Sequence, residues 1–410
     1  MREKAFGSWG SKVTAEKPET GQEKRSLREQ ASRLLERIRL AASGLGRPVS
    51  LMEVCGTHTV AISRGGLREL LPEEVRLLSG PGCPVCVTAQ GFIDAAIDLA
   101  ESGRVTLATY GDMLRVPGTA GSLELAKAAG ADVRTVYSVL EALELAGATP
   151  GRPVVFLAVG FETTAPATAV ALGEARAAGL ANFFVLDAHK RIVPAMLALT
   201  AAADVAIDGF IAPGHVSVVI GLAPYEPVAR AGRPCVVTGF EPVDVLEAIA
   251  LLLEMLAAGR SEVRNQYRRA VRPEGNPTAR AELEAVFQVA PAEWRGLGFI
   301  PESGFGLREE FRRLDARAAF GIEVAPAPEL PGCRCGEVLR GALDPQQCLL
   351  FGSACTPAHP QGPCMVSREG SCGIAYRFGR EPSGARRVPG RGGRAGAAAR
   401  PLPNQGGGER

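Results

Sequence analysis

The sequence is poor in aromatic residues and contains no long apolar run. Phe, Trp and Tyr make up only 5% of the 410 residues. A membrane-spanning helix needs about 20 consecutive apolar residues, but the most apolar segment, at 245–259, is interrupted by Glu247 and Glu254. Residues 1–30 are polar and lack the apolar core of a signal peptide. We therefore expect a cytoplasmic protein without membrane contact.

The sequence also lacks a strong excess of charge of one sign. The formal net charge is +2, and the positive charge is concentrated in the Arg/Gly-rich stretch RRVPGRGGRAGAAARPLPNQGGGER. A nucleic-acid binder usually has a basic patch on its folded part, so we expect no nucleic-acid partner. Composition predicts a flexible leader over residues 1–25 and a disordered tail over 381–410.

Short apolar runs alternate with longer helical patterns over most of the chain. Strand-like runs such as VSLMEV, VRLLSG and PVVFLAV are separated by amphipathic stretches such as GFIDAAIDLAESG. This alternation is typical of parallel sheets covered by helices. We predict an α/β fold with two similar parallel-sheet domains, 26–150 and 151–260, that face a central cleft. A loop-rich C-terminal domain over 261–380 is expected to follow them.

Polar loops that contain glycine follow five of the predicted strands. Their sequences are CGTHT, GPGCPVC, GFETTAP, PGHVS and GFEPVD. Ligands of parallel α/β proteins bind at the carboxyl ends of the strands, so these loops are candidates to line one cleft. The candidate site residues are Cys55, His58, Cys83, Cys86, Glu162, His215, Glu241 and Asp244. Helix capping is the alternative role for the carboxylates, and His189 and His359 are expected to be structural.

Two cysteine motifs stand out in these loops. Ten cysteines in a chain without a signal peptide favour metal or redox chemistry over structural disulfides. The Cys-Pro-Val-Cys motif at 83–86 precedes a predicted helix, whose N-terminal amides favour a reactive thiolate that can form a reversible disulfide. Together with the Cys-x-x-His motif at 55–58, it also supplies the ligand set of a structural zinc site. The residues alone leave both interpretations open.

The segment 333–372 contains six cysteines among loops of low apolar content. Four thiolates can bind a [4Fe–4S] cluster or one zinc ion. Structural zinc sites usually show two Cys-x-x-Cys pairs, which this segment lacks, so its uneven gaps favour a cluster. Cys333 and Cys335 would point to opposite sides of an extended stretch, and only one of them need be a ligand.

At these residues the chain resembles the HypD-type hydrogenase maturation family. The resemblance covers about 45–378 and is carried by MEVCGTHT, SGPGCPVCVT, VGFETTAP, APGHVSVVIG, VTGFEPVD and the terminal cysteine run. It implies two α/β domains with a central cleft and a [4Fe–4S] cluster domain. The family spacing Cys-x12-Cys-x6-Cys-x16-Cys implies the cluster ligands Cys335, Cys348, Cys355 and Cys372, with Cys333 and Cys364 spare.

The resemblance also implies a function. The protein would be an assembly scaffold with redox activity, rather than a conventional turnover enzyme, for the Fe(CN)2CO unit of [NiFe]-hydrogenase. Cys55 would bind the transient iron that carries CN and CO, with His58 close by, while Cys83 and Cys86 would alternate between dithiol and disulfide. A HypC-type chaperone would supply a second iron-binding cysteine, and a HypE-type protein would deliver cyanide. The alternatives are a stand-alone [4Fe–4S]-dependent thiol–disulfide oxidoreductase and a structural zinc protein.

Overall fold

The computed structural model describes residues 21–202 and 204–379. The strands are β1 (Val49–Glu53), β2 (Val75–Ser79), β3 (Thr106–Thr109), β4 (Val133–Thr135), β5 (Val154–Ala158), β6 (Phe183–Asp187), β7 (Gly209–Pro213), β8 (Cys235–Thr238), β9 (Val263–Asn265), β10 (Phe287–Trp294) and β11 (Gly298–Leu307). The α-helices are α1 (Gly21–Leu45), α2 (Gly56–Arg64), α3 (Leu67–Leu70), α4 (Pro84–Val87), α5 (Gln90–Glu101), α6 (Leu123–Ala128), α7 (Val139–Ala148), α8 (Ala165–Ala177), α9 (Ile192–Thr200), α10 (Gly214–Ile220), α11 (Glu226–Arg230), α12 (Pro242–Ala257), α13 (Pro277–Val286), α14 (Ala316–Phe320), α15 (Cys335–Leu339), α16 (Pro363–Val366) and α17 (Ser371–Phe378). Short 3-10 helices cover Gly111–Arg115, Ala223–Tyr225, Glu309–Leu314 and Pro345–Gln347.

Two parallel sheets form the frame of the molecule. The first sheet has the strand order β2-β1-β7-β8-β9, and the second has the order β4-β3-β5-β6. The pairings within both sheets are parallel. A strand covered on both faces must be apolar along its whole length, and every residue of Val154–Ala158 in β5 is buried. The predicted α/β fold with parallel sheets is confirmed.

The sheets do not divide at residue 150, in contrast to the predicted domains 26–150 and 151–260. In the first sheet β1 pairs with β7, so that Leu51 lies beside Gly209. In the second sheet β3 pairs with β5, which begins after residue 150. The chain thus leaves the first sheet after β2, builds the second sheet, and returns at β7. Periodicity predicts that a strand exists but does not specify which strand lies beside it.

The first sheet also differs from the prediction at its far edge and at its first helix. β9 extends this sheet, although its residues were assigned to the predicted C-terminal domain. α1 begins at Gly21, within the predicted leader, and packs with α12 against the sheet. Arg37 of α1 forms an ion pair with Glu254 of α12 at 2.8 Å. The remaining leader, 1–20, and the predicted tail, 381–410, lie outside the described residues.

The C-terminal part of the described chain has little regular structure. β10 and β11 form an antiparallel hairpin, and only short helices follow it up to residue 379. Apolar residues of this segment, among them Val338, Leu339 and Met365, join the same core as the two sheets. Packing on the frame therefore contributes apolar contacts that this loop-rich segment could not make alone.

Crossing a membrane requires a helix that is both long and apolar, and residues 21–202 and 204–379 contain none.

Candidate functional site

Cys55 lies where β1 ends and α2 begins. It is the N-cap residue of α2 and has extended backbone angles, φ −152° and ψ 121°. Burial, and then the charge of Glu369, raise the pKa of its thiol to about 12, while the backbone amides of His58 and Thr57 oppose the shift. The thiol is therefore protonated at neutral pH. A metal ion must displace this proton to bind the sulfur.

His58 is three residues further along α2 and is fully buried. Its Nε2 lies 2.9 Å from the carbonyl oxygen of Gly239, so this nitrogen carries a proton and donates it. Burial lowers the pKa of the ring to about 4, which keeps the ring neutral at pH 7. Its Nδ1 then presents a lone pair, and the described residues offer it no hydrogen-bond partner. A neutral imidazole oriented by a carbonyl at its other nitrogen has the usual arrangement of a metal-binding histidine.

Phe240 connects His58 to His215. The ring centroid of Phe240 lies 4.7 Å from that of His58 and 3.9 Å from that of His215, and both pairs are stacked. His215 is exposed at the start of α10, in the loop after β7, whereas Phe240 follows β8. The loops after β1, β7 and β8 therefore meet at one edge of the first sheet.

Cys83 and Cys86 form a closed disulfide at the start of α4. Both side chains are buried, at 3% and 0% exposure. The preceding loop packs directly on the backbone of Cys55, since a Cβ on Gly82 would overlap the nitrogen and Cα of Cys55. The amide of Gly56 also donates to the carbonyl of Gly82 at 3.1 Å. The dithiol loop and the Cys55 loop are thus in backbone contact at the ends of neighbouring strands.

The four residues of the two cysteine motifs do not form a zinc ligand set. The disulfide uses the sulfurs of Cys83 and Cys86, and the Nε2 of His58 donates to a carbonyl. Within the described parts of the chain, no three His, Cys, Asp or Glu side chains are arranged to hold a single metal ion. This geometry does not favour the structural zinc interpretation.

Two glutamates at Cys55 were missed by sequence reasoning. Glu53 is fully buried, and its carboxylate accepts from the Cys55 amide at 3.1 Å and from the Thr59 hydroxyl at 2.5 Å. Burial raises the pKa of Glu53 to about 7. Glu369 reaches the site from the C-terminal segment and accepts from the Thr57 hydroxyl at 2.7 Å. The available signals were a glutamate inside an otherwise apolar strand and a glutamate within the cysteine-rich run.

The remaining predicted carboxylates have other contacts. Glu162 follows β5, which belongs to the second sheet, and it accepts from the amide of Ile192 at 3.1 Å. Burial raises the pKa of Glu162 to about 7. Asp244 accepts from the amide of Glu241 at the start of α12 and forms an ion pair with Arg269. For Asp244 and Glu241 the structure therefore shows the capping contact that was the alternative to a cleft role.

The two histidines expected to be structural differ in environment. His189 is buried, and its Nδ1 lies 2.6 Å from a carboxylate oxygen of Asp187. His359 lies in an exposed loop, where its backbone amide bonds to the hydroxyl of Thr356.

The C-terminal cysteines gather in one thiol-rich cluster. Hydrogen bonds from Cys335 and Cys364 lower the pKa of the Cys372 thiol to about 5. The thiol of Cys333 also contacts that of Cys335. Cys364, which the family spacing left spare, is fully buried between two predicted cluster ligands.

The other two predicted cluster ligands lie at the border of this group. The Sγ of Cys355 accepts from the amide of Gln361 at 3.3 Å. Cys348 is partly exposed and lies close enough to raise the pKa of Cys355, after the larger effect of burial. A Cβ on Gly362 would lie 2.5 Å from the Sγ of Cys333 and 2.8 Å from that of Cys335, so the absence of a side chain lets the backbone approach both sulfurs. The donor chemistry of these thiols fits a [4Fe–4S] cluster.

The thiol-rich cluster adjoins the disulfide. The Sγ of Cys86 lies 4.0 Å from the carbonyl oxygen of Pro363, the residue before Cys364. α16 thereby covers α4. The sulfurs of the disulfide and of the thiol-rich cluster are enclosed in the same hydrophobic core.

The fold and the site define a thiol-rich α/β protein with a cysteine at a helix N-terminus beside a buried disulfide. Comparison with known proteins agrees with this class. The family model HypD, described as the hydrogenase formation hypA family, matches residues 29–379. The chain belongs to the HypD family.

Characterised relatives match the chain over most of their length. It is 47% identical over 361 residues to the hydrogenase maturation factor HypD of Cupriavidus necator, covering 86% of this chain and 95% of that protein. It is 49% identical over 354 residues to the factor of the same name from Rhizobium leguminosarum bv. viciae, covering 84% and 92%. For the HypD factor of Escherichia coli K12, identity is 46% over 367 residues, covering 87% and 97%.

Proposed function

We propose that this protein is a hydrogenase maturation factor that holds an iron fragment while its CN and CO ligands are attached. The observation that carries this proposal is the pairing of Cys55 with His58. A thiol at a helix N-terminus lies one turn before a buried, neutral imidazole whose Nδ1 has no partner in the described chain. Membership of the HypD family supports the same function.

The limited number of ligands suits iron as a cargo. Cys55 and His58 supply at most two ligands, whereas a stable structural metal site in a protein usually has four. The open positions would accept diatomic ligands and a thiolate from a HypC-type chaperone, and a HypE-type partner would deliver the cyanide. The exposed ring of His215, stacked on Phe240, provides a polar rim for such a partner.

Cys83 and Cys86 would supply electrons to the bound iron. Closing the dithiol to a disulfide releases two electrons and two protons. The loop that carries these cysteines contacts the backbone of Cys55 through Gly82, so the electrons would be released next to the iron. Both sulfurs are buried, which argues against a stand-alone oxidoreductase that must reach the disulfide of another protein.

Cys335, Cys348, Cys355 and Cys372 would hold a [4Fe–4S] cluster. Such a cluster, when bound, supplies electron-transfer chemistry at a potential set by its surroundings. The nearby carbonyl of Pro363 contacts Cys86, which supports a role for this segment in re-reducing the disulfide. The chain's own contribution is to supply the four thiols and to bury three of them, those of Cys335, Cys355 and Cys372.

The proposal is tested by co-purifying the full chain with a HypC-type partner without oxygen. Cys55→Ala should abolish the infrared bands of CN and CO and the iron in excess of about four per chain, but retain the broad visible absorption of the cluster. Cys235→Ala is the matched control, because Cys235 begins β8, at the end opposite Phe240, and should retain both signals. Excess iron retained by Cys55→Ala would refute the assignment of the ligand.

A further inference from the structure

A residue outside the cysteine and histidine motifs holds Gly239, whose carbonyl orients the ring of His58. Gln266 directly follows β9, the strand beside β8. Its Oε1 accepts from the amide of Gly239 at 3.2 Å and lies 2.9 Å from the hydroxyl of Thr238. The carbonyl of Gly239 in turn accepts from the Nε2 of His58 at 2.9 Å. A single residue therefore separates Gln266 from the proposed iron ligand.

The side-chain amide of Gln266 has one favourable orientation. Its Nε2 donates to the carboxylate of Asp244 at 2.8 Å and to that of Glu247 at 3.0 Å. Although burial acts in the opposite direction, hydrogen bonds from Arg269 and Gln266 lower the pKa of Asp244, so this carboxyl is ionised at neutral pH and only accepts. Turning the amide over would place its oxygen against two carboxylates and its NH2 group against the amide of Gly239. The oxygen of Gln266 is therefore fixed on Gly239.

The segment after β9 also encloses Gly239 from a second direction. A Cβ on Gly239 would lie 2.8 Å from atoms of the Tyr267 ring, so the ring packs directly on the backbone. The guanidinium of Arg269 lies 4.6 Å from the centroid of this ring and forms an ion pair with Asp244. Tyr267 also meets the ring of Phe240 edge-on, with the centroids 6.0 Å apart. The residues after β9 thus hold the loop after β8 by an amide, a ring and an ion pair.

The position of Gly239 determines two features of the candidate site. Its carbonyl keeps a proton on the Nε2 of His58, which leaves the Nδ1 lone pair without a partner in the described chain. The next residue, Phe240, stacks on both His58 and His215. A group that orients a metal-binding histidine through its other nitrogen usually contributes about 10- to 100-fold to metal affinity. A change that releases Gly239 should therefore weaken metal binding without removing a ligand.

We propose that Gln266 is the positioning residue of His58. It fixes Gly239, the carbonyl of Gly239 holds the imidazole proton on Nε2, and Nδ1 is thereby directed to the iron. Gln266 acts through Gly239 and does not itself bind the metal. This inference deepens the proposed iron function and rests on it only for the last of these steps.

The ring nitrogens of His58 provide a readout that needs no iron. The chain has four histidines, so NMR of the full chain labelled with 15N-histidine gives few ring signals, which single His→Gln variants assign. The wild-type protein should show His58 protonated at Nε2 and unprotonated at Nδ1. Gln266→Met keeps the length of the side chain but removes its polar contacts. The Nε2 proton of His58 should then exchange with water about fivefold faster, the effect of losing about one neutral hydrogen bond.

The same spectrum contains an internal reference. The Nδ1 of His189 lies 2.6 Å from the carboxylate of Asp187, at the end of β6 in the second sheet. Its signals should not change in Gln266→Met. Gln288→Met is the matched control, because Gln288 is exposed in β10 and should leave both histidines as they are in the wild-type protein. A residue that only supported α12 would likewise leave the ring of His58 unchanged.

Gln266→Glu provides a rescue that depends on pH. The carboxyl that it introduces lies between the carboxylates of Asp244 and Glu247, which raise its pKa. At about pH 5.5 it should be protonated and imitate the amide, so that exchange at His58 matches the wild-type protein at the same pH. At about pH 8 it should be ionised and repelled, and exchange should be faster than in the wild-type protein. If Gln266→Met does not fold, this pH dependence decides the question.

Iron binding separates this inference from the proposed function. In the complex with a HypC-type partner, Gln266→Met should bind ferrous iron about 10- to 100-fold more weakly, measured by competition with a chelator. Faster exchange at His58 with unchanged iron affinity would support the positioning role and contradict His58 as an iron ligand. Unchanged exchange in folded Gln266→Met, equal acceleration at His189, or no recovery of Gln266→Glu at low pH would overturn the proposal.

Discussion

At the scale of single residues, a glycine determines how closely the two cysteine loops approach each other. Gly82 has no room for a side chain because a Cβ would overlap the backbone of Cys55. Overpacking of this kind usually costs about 1–3 kcal/mol. We expect Gly82→Ala to lower the free energy of unfolding by about that amount and to separate the Cys55 loop from the dithiol loop.

The measurement is urea denaturation together with the iron content of the complex with a HypC-type partner. Gly121→Ala is the matched control, because Gly121 lies in a loop with open space around its Cα. Gly82→Ala should lose iron, whereas Gly121→Ala should retain it. Normal iron loading in both variants would show that the close approach of the loops is not needed for binding.

His58 makes stability depend on pH in a defined direction. The unfolded chain protonates this ring below about pH 6.5, whereas burial lowers its folded pKa to about 4. The stability that the neutral ring provides is therefore complete above pH 6.5 and is lost as the pH falls to 4. Between pH 7 and pH 5 the wild-type protein should lose about 2 kcal/mol more than His58→Gln.

Urea denaturation at the two pH values measures this difference. Burial raises the pKa of Glu53 and Glu162 to about 7, so both carboxyls favour the folded state as the pH falls. Their contribution is common to the two proteins and cancels in the comparison. Parallel losses of stability in the wild-type protein and in His58→Gln would contradict the assignment of a buried neutral ring.

The sequence singled out candidate residues of the site but not their contacts. Cys55, His58 and the dithiol are candidates because their spacing is local and their side chains are chemically distinctive. The stack of His58, Phe240 and His215 joins loops far apart in the sequence, and no local pattern encodes such a contact. The two missed glutamates show the same limit, because the roles of Glu53 and Glu369 depend on burial and on a distant loop.

At the scale of helices and strands, the apolar alternation predicted parallel sheets but not their strand order. Buried parallel strands are apolar throughout, so β1 and β5 have similar patterns although they lie in different sheets. Long-range packing determines which sheet each strand joins and which strand lies beside it. The predicted boundary at residue 150 therefore differs from the structure, in which each sheet combines strands from both sides of this residue.

α1 offers a matched test of element packing. Ile38 is fully buried between this helix and the first sheet, whereas Leu40 on the same helix is 67% exposed. Truncation of a buried isoleucine to alanine usually costs about 2–5 kcal/mol. We expect Ile38→Ala to lose stability in this range by urea denaturation and Leu40→Ala to change it by less than about 0.5 kcal/mol. Equal effects would mean that α1 does not pack on the sheet as described.

At the scale of the whole molecule, the C-terminal segment returns to close over the start of the chain's first sheet. Glu369 lies against α2, where a Cβ on Gly56 would lie 2.7 Å from its backbone oxygen. α16 covers the disulfide through Pro363. Segments about 300 residues apart in the sequence thereby enclose Cys55, the dithiol and the thiol-rich cluster. The folding of the C-terminal segment is therefore coupled to the geometry of the site.

The hydroxyl of Thr57 tests this coupling, because it donates to the carboxylate of Glu369 at 2.7 Å. A hydrogen bond of this kind contributes about 1 kcal/mol when it is partly exposed. Thr57→Val should therefore increase amide hydrogen exchange over residues 363–378 about fivefold and reduce iron retention, whereas Thr57→Ser retains the hydroxyl and should behave like the wild-type protein. Equal exchange in the valine and serine variants would show that the C-terminal segment is held over the site by its apolar contacts alone.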